Sequence, residues 1–185
     1  MPNNCCNKLT ITSTPEDIEI IAKHLTDNLQ TPFDFNNLVP KPKELDNIRC
    51  VHSGNSKHYY YLDKYLEDHP EDDRVPIPSM EWLERNALDP FTLKRLNTNY
   101  GTPDWYEWCC KHWGTKWNAY DIKVMREENK IEYNFLTAWA EPRPIMRALI
   151  DYLGDTQFDT RLEMRWTFVD ENENYQGVID GKTEV

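Results

Sequence analysis

Four of the seven tryptophans fall within one short run, Trp105-Tyr106-Glu107-Trp108-Cys109-Cys110-Lys111-His112-Trp113-Gly114-Thr115-Lys116-Trp117-Asn118-Ala119-Tyr120-Asp121. Aromatic area this concentrated needs a core or a partner to cover it. The neighbouring segments indicate the kind of core. Ile131, Tyr133, Phe135, Thr137 and Trp139 recur at every second position, the period of a strand with one buried face. Residues 117–126 read as a strand through Ile122 and Val124, and the polar turn Glu127 to Lys130 joins the two as a hairpin.

The same reasoning extends to both ends. Residues 5–13 predict a first strand with Cys5, Leu9 and Ile11 inward, Asn7 being the exception of that parity. Thr14-Pro15-Glu16-Asp17 starts a helix: threonine caps, proline suits the first helical position and acids suit the positive end of the dipole. Ile18, Ile21, Ala22, Leu25 and Leu29 form its apolar stripe, and the helix ends before Pro32. Pro142 and Pro144 open a second helix, with Ile145, Met146, Leu149, Ile150 and Leu153 on one face and Gly154 as its stop. Phe158, Leu162, Met164, Trp166 and Phe168 predict a long strand. Tyr175, Gly177 and Ile179 predict a final short one, reached through the acidic turn Asp170 to Asn174.

Phe33 to Pro42 reads as an ordered connector, because its prolines exclude a long helix or a central strand. Residues 44–103 are polar and acidic. Tyr59 to Leu66 is expected to be a helix ended by His69-Pro70, Glu71 to Arg74 a solvated loop, and Ser79 the cap of a helix carrying Trp82, Leu83 and Leu88. Trp105 to Trp113 is expected to be a short helix with Trp105, Trp108, Cys109 and His112 on one face, ended by a left-handed Gly114. Without the insertion and the last strand the order is βαββαβ, the split βαβ arrangement. The expectation is therefore α+β: a ferredoxin-like two-layer sandwich plus an extra C-terminal strand. Residues 1–185 make a single ferredoxin-like domain, with 44–103 a helical insertion within it.

Composition narrows function. The net charge of −11 repels phosphate backbones, so a basic nucleic-acid groove is disfavoured. Two readings of that charge remain, a self-repelling soluble protein and an acidic surface that mimics nucleic acid. No apolar run reaches the length of a membrane span, and Met1-Pro2-Asn3-Asn4 lacks the charged and apolar regions of a signal peptide. A cytoplasmic location and no membrane partner are expected. Five cysteines with two vicinal pairs, Cys5-Cys6 and Cys109-Cys110, read as thiols rather than a disulfide framework.

Three segments together resemble the Api92-like family of phage and plasmid proteins, whose C-terminal part is the YubB ferredoxin-like domain. They are Met1 to Ile11; Trp105-Tyr106-x-Trp108 followed by Trp113-Gly114-Thr115-Lys116-Trp117-Asn118-Ala119; and Thr137-Ala138-Trp139 leading into Pro142 and Pro144. Asn4 stands where the family tends to carry tryptophan. The resemblance implies a ferredoxin-like fold and a mobile-element origin, and brings no established reaction, cofactor or catalytic residue.

No catalytic constellation is legible, and no catalytic residue, cofactor or metal site is expected. Cys109, Cys110 and His112 are close in sequence, but adjacent helical residues point about 100° apart and no second spaced pair completes a zinc set. The same cysteines with His112 lack an orienting acid for nucleophilic catalysis. Carboxylate pairs such as Asp72-Asp73 and Glu127-Glu128 sit in expected turns, and no glycine-rich phosphate loop is present. In a ferredoxin-like sheet the start of the second core strand lies beside the end of the third. That juxtaposes Gly114 to Trp117 with Trp139 and the Ala140-Glu141-Pro142 turn. Trp113, Lys116, Trp117, Asn118, Trp139 and Arg143 would then form a surface able to anchor a protein or stack a base. The competing reading is that these tryptophans pack the insertion against the core, with Lys116 lying over one of them. The leading expectation is a non-enzymatic interaction protein that binds a bacterial host protein, a defence component among the candidates. The alternatives are a binder of a nucleotide or single-stranded nucleic acid, and an enzyme of unrecognised chemistry.

Overall fold

A computed structural model describes residues 3–26, 31–70, 78–154, 158–159, 161–170 and 176–182. The chain divides into two compact units, Met1–Pro40 with Cys109–Val185, and Lys41–Trp108. No helix among the described residues is long and apolar enough to cross a membrane.

In the first unit, β1 (Asn4–Thr12) leads into α1 (Pro15–Leu25). Thr14 caps α1 by accepting from the Asp17 amide at 3.2 Å. The unit continues with β4 (Tyr120–Glu127), β5 (Lys130–Ala138), α6 (Arg143–Leu153), β6 (Glu163–Asp170) and β7 (Gln176–Lys182). Among the described residues these strands form one sheet in the order β4-β5-β1-β6-β7. Every neighbouring pair is antiparallel. The first four strands have the ferredoxin-like arrangement, and β7 extends it by one strand. The fold is α+β and ferredoxin-like, as the sequence order implies.

Its core follows strand parity. Leu9 faces Tyr133 on one side and Trp166 on the other, and Ile11 faces Ile131 and Met164. All six are buried, as are Ile18, Ile21 and Leu25 of α1 and Ile145, Met146, Leu149 and Leu153 of α6. A layer of helices on one sheet face thus covers both apolar stripes. Asn7, the parity exception, is buried but fully engaged. Its Nδ2 donates to the Cys5 carbonyl at 3.0 Å and to Thr137 Oγ1 at 2.9 Å, and its Oδ1 accepts from Trp166 Nε1 at 3.2 Å. A buried amide with these partners avoids the penalty of desolvation without hydrogen bonds.

The second unit differs from the sequence reading in its hairpin and in the bounds of its helices. Tyr59 to Tyr61 are not helical: β2 (Ile48–Ser53) and β3 (Ser56–Tyr61) form a hairpin, and α2 (Leu62–Asp68) begins only after it. Three consecutive tyrosines favour a pleated strand, and Gly54 at φ 58 supplies the tight turn. The segment is therefore not purely helical. Ser79 does cap α3 (Met80–Asn86), but Leu88 lies beyond it. Asp89 then caps α4 (Pro90–Tyr100), a helix that polar composition had hidden, through its bonds to the Phe91 and Thr92 amides. Tyr60, Tyr65, Trp82 and Leu83 form a small buried cluster. Leu29, the loop Glu71 to Arg74, the turn residues Glu171 to Asn174, and Tyr175 lie outside the described residues.

α5 (Trp105–His112) starts where expected and ends one residue before Trp113. Strand β6 begins at Glu163, so Phe158 is buried ahead of it rather than within it.

Candidate functional site

The run from Trp113 to Asn118 connects α5 to β4, and each residue has a distinct local task. Gly114 adopts φ 80, a left-handed conformation glycine enters without a Cβ penalty. It also lies against the turn that starts α6: a Cβ on Gly114 would stand 2.8 Å from Pro144 Cδ and 3.3 Å from the Arg143 amide nitrogen. Thr115 is buried, and its hydroxyl serves both backbone groups of Ala138. It donates to the carbonyl at 2.9 Å and accepts from the amide at 3.1 Å. These two residues tie the segment to the end of β5, where Trp139 follows.

Lys116 and Trp117 then meet Trp139. Lys116 Nζ lies 4.6 Å from the Trp117 ring centre and 5.6 Å from that of Trp139. Both distances are within cation–π range, worth about 0.5–1 kcal/mol at an exposed site. Trp117 is half-buried and stands edge-on to Tyr120, with centroids 6.4 Å apart. The Tyr120 hydroxyl donates to Asn4 Oδ1 at 2.6 Å, which joins the β1 terminus to the same patch. Trp139 is 44% exposed and has φ 72. Its amide donates to the Asn3 carbonyl at 2.8 Å. A bulky residue in the left-handed region costs about 1–3 kcal/mol and persists only where its surroundings impose it.

The six residues singled out in the sequence therefore divide. Lys116, Trp117 and Trp139 come together at the surface. Arg143 opens α6, just beyond the turn that follows Trp139. Its Nε donates to the buried carboxylate of Glu141, and its guanidinium lies 5.8 Å from the Phe168 ring. Trp113 is in the core, 2% exposed, with Nε1 donating to the Val39 carbonyl at 2.8 Å and its ring edge-on to Phe35. Asn118 is a structural clamp: its Oδ1 accepts from the Phe35 amide at 3.0 Å and from the Ala119 amide at 2.9 Å, and its Nδ2 donates to Asp34 at 2.7 Å. This use of Asn118 delays β4 to Tyr120, three residues later than alternation suggests. Thr115 and Gly114, absent from the sequence-derived site, hold it together. A glycine in the left-handed region is itself a sign of close backbone approach.

The other reactive groups lie elsewhere. Burial, helped by the charge of Glu141, pushes the Cys5 thiol up to about 11, whereas Cys6 on the opposite sheet face is exposed. Cys109 is buried and Cys110 half-buried. Burial, with nearby Lys111, pushes His112 below its ordinary value. A concavity of about 1050 Å3 lies on the sheet face opposite the helices, with Cys6, Lys8, Leu136 and Val169 in its lining and none of the six residues above among its lining.

No family model matches the chain, and no curated protein matches it. Among solved structures, the crystal structure of the Api92 protein from Yersinia pseudotuberculosis, assigned to family model DUF1281, superposes with a TM-score of 0.52. The match covers 99% of this chain and 95% of that one, at 10% identity. The chain has an Api92-like fold. At that identity the likeness concerns the fold, and the site rests on the residues described above.

Proposed function

We propose that this protein is a non-enzymatic interaction protein of a phage or other mobile element, acting in the bacterial cytoplasm, and that Lys116, Trp117, Trp139 and Arg143 anchor a host protein there. The phage and YubB-type affiliation belongs to this proposal, with the Api92-like fold as its support. The observation that carries the binding role is Trp139, a tryptophan nearly half exposed on a strained backbone beside a second tryptophan and a shared lysine. Aromatic anchors, tryptophan among them, dominate binding energy at interfaces. The cation–π contacts that hold the rings are weak enough for a partner to replace.

Capture from a bacterial lysate followed by mass spectrometry tests this. A stoichiometric host protein is expected with the unaltered chain, and its loss with the folded double variant Lys116→Ala, Trp117→Ala. Retention by that variant removes the site from the function.

One feature favours a second reading, a nucleotide or single-stranded nucleic-acid ligand. Two indole rings and a cation adjoin, the groups that stack bases and meet phosphates. Copurified material absorbing at 260 nm, lost in the same variant, would select it.

A further inference from the structure

We propose that the outer edge of β7 accepts an extended acidic segment of a partner protein as an added strand, with that segment's carboxylates reaching Arg143 and Arg147. Arg143 is shared with the proposed tryptophan surface, whereas Arg147 and the β7 edge lie outside it.

The two edges of the sheet differ. Strand β4 carries exposed Lys123, Arg126 and Glu127 beside exposed Val124 and Met125, and its pairing shifts register between Tyr120 and Lys123. Charge and irregular pairing both blunt an edge against a further strand. Strand β7 closes the other side and pairs along its described length with β6. Its central residues are Val178, Ile179 and Asp180, and Val178 and Asp180 are exposed. Asp180 is drawn toward Arg165 at 3.4 Å. An edge of this kind presents a row of backbone donors and acceptors, the substrate of strand addition.

The helix face beside that edge supplies specificity. A groove of about 480 Å3 runs between α6 and β7, lined by Arg143, Pro144, Met146, Arg147, Ile150 and Ile179. Ile179 lies opposite buried Trp166, so it points to the helix side of the sheet. Gly177 leaves room there for the Phe168 ring, since a Cβ would come within 2.3 Å of Phe168 Cζ. Alternate side chains of an added strand would enter the same groove, over Met146, Ile150 and Ile179. They would meet two arginines one helical turn apart. Like charges at that spacing repel. Glu141 answers Arg143. Arg147 is exposed and makes no hydrogen bond or ion pair among the described residues. Guanidinium groups suit carboxylates in paired hydrogen bonds. In a chain of net charge −11, Arg147 is a cation with no acidic partner among the described residues, which an acidic strand complements. A second copy of the chain brings the same −11 and is the weaker occupant.

The test uses a fluorescein-labelled ten-residue peptide of alternating valine and glutamate, followed by anisotropy and by amide exchange of the intact protein. Saturable binding is expected below about 1 mM, with exchange across residues 176–182 slowed about tenfold. Arg147→Glu, an exposed change that circular dichroism should show to be folded, is expected to weaken binding about tenfold. Lysine in place of glutamate, or N-methylation of the four central peptide residues, should abolish it. The proposal is overturned by absent binding, by unchanged exchange in β7, or by equal binding of the lysine or N-methylated peptide. It is equally overturned by undiminished affinity in folded Arg147→Glu. A doubled mass of the free protein with β7 already protected would assign the edge to a second copy instead.

Discussion

The two units bury their aromatic residues in different ways. In the sheet unit, Trp166 is fully buried between strands and beside two phenylalanines, with ring centres 5.6 Å from Phe135 and 6.0 Å from Phe33. Its contacts come from elements far apart in sequence. In the unit of residues 41–108, Trp82 packs on Tyr60 and Tyr65 at 5.5 and 5.2 Å, and its Nε1 reaches Asp68 at 2.9 Å. Those partners lie within 22 positions of it, as the difference 82 − 60 gives. A sheet core depends on long-range register, whereas the smaller cluster needs only a hairpin and the helices that follow it. The first should fail as a whole and the second locally.

The largest effect is expected from Trp166→Ala. Truncating a fully buried tryptophan costs about 4 kcal/mol, and it also strips Asn7 Oδ1 of its indole donor. Denaturant unfolding should show a midpoint lowered throughout the sheet unit. Trp82→Ala should cost about 3 kcal/mol, and amide exchange should rise in residues 48–100 while β1, β5 and β6 keep their protection. Equal loss of protection in both units would break the contrast. The smallest effect concerns Glu44, which receives Arg95 Nη1 at 3.0 Å, the Arg95 Nη2 donor, and the Tyr100 hydroxyl at 3.3 Å. The Arg95 bonds hold the Glu44 carboxyl below its ordinary value of about 4.5. A lowered folded value means that its stabilisation is complete above about pH 4.5 and is lost as pH falls through the lower folded value. Glu44→Gln should remove that part of the acid dependence and shift the midpoint less than either tryptophan change. An acid limb identical to that of the unaltered chain would show the Glu44–Arg95 pair to be thermodynamically silent.

The legibility of the sequence follows the same division. The alternation from Ile131 to Thr137 and the stripe from Ile145 to Leu153 are repeated physical signals, each confirmed several times within one element. They specify the sheet unit and its ferredoxin-like order. Residues 44–103 carry no such repetition. Tyr59-Tyr60-Tyr61-Leu62 satisfies a strand as well as a helix, and only pairing with Ile48 to Ser53 decides. Helix α4 has Leu96 as its sole buried residue, too little for a visible stripe.

At the candidate site, topology derived from element order is enough to place Lys116 and Trp117 beside Trp139. It does not separate Trp113 from Trp117. Four positions apart, one tryptophan fills the core and donates to Val39, while the other stays half-buried under a lysine. Nor does it single out Asn118 as a clamp, because that role depends on Asp34 and Phe35, more than 80 positions away in the chain.

What the sequence by itself determined is the kind of each repeated element, the face it buries and the order in which the elements join. These are local consequences of periodicity, capping and backbone restriction. What only the tertiary structure decided is which tryptophans are covered and which remain at the surface, and which strands stand at the edges of the sheet among the described residues. The reason is physical: exposure and pairing are properties of what arrives from elsewhere in the chain, and a residue's neighbours in sequence do not carry that information.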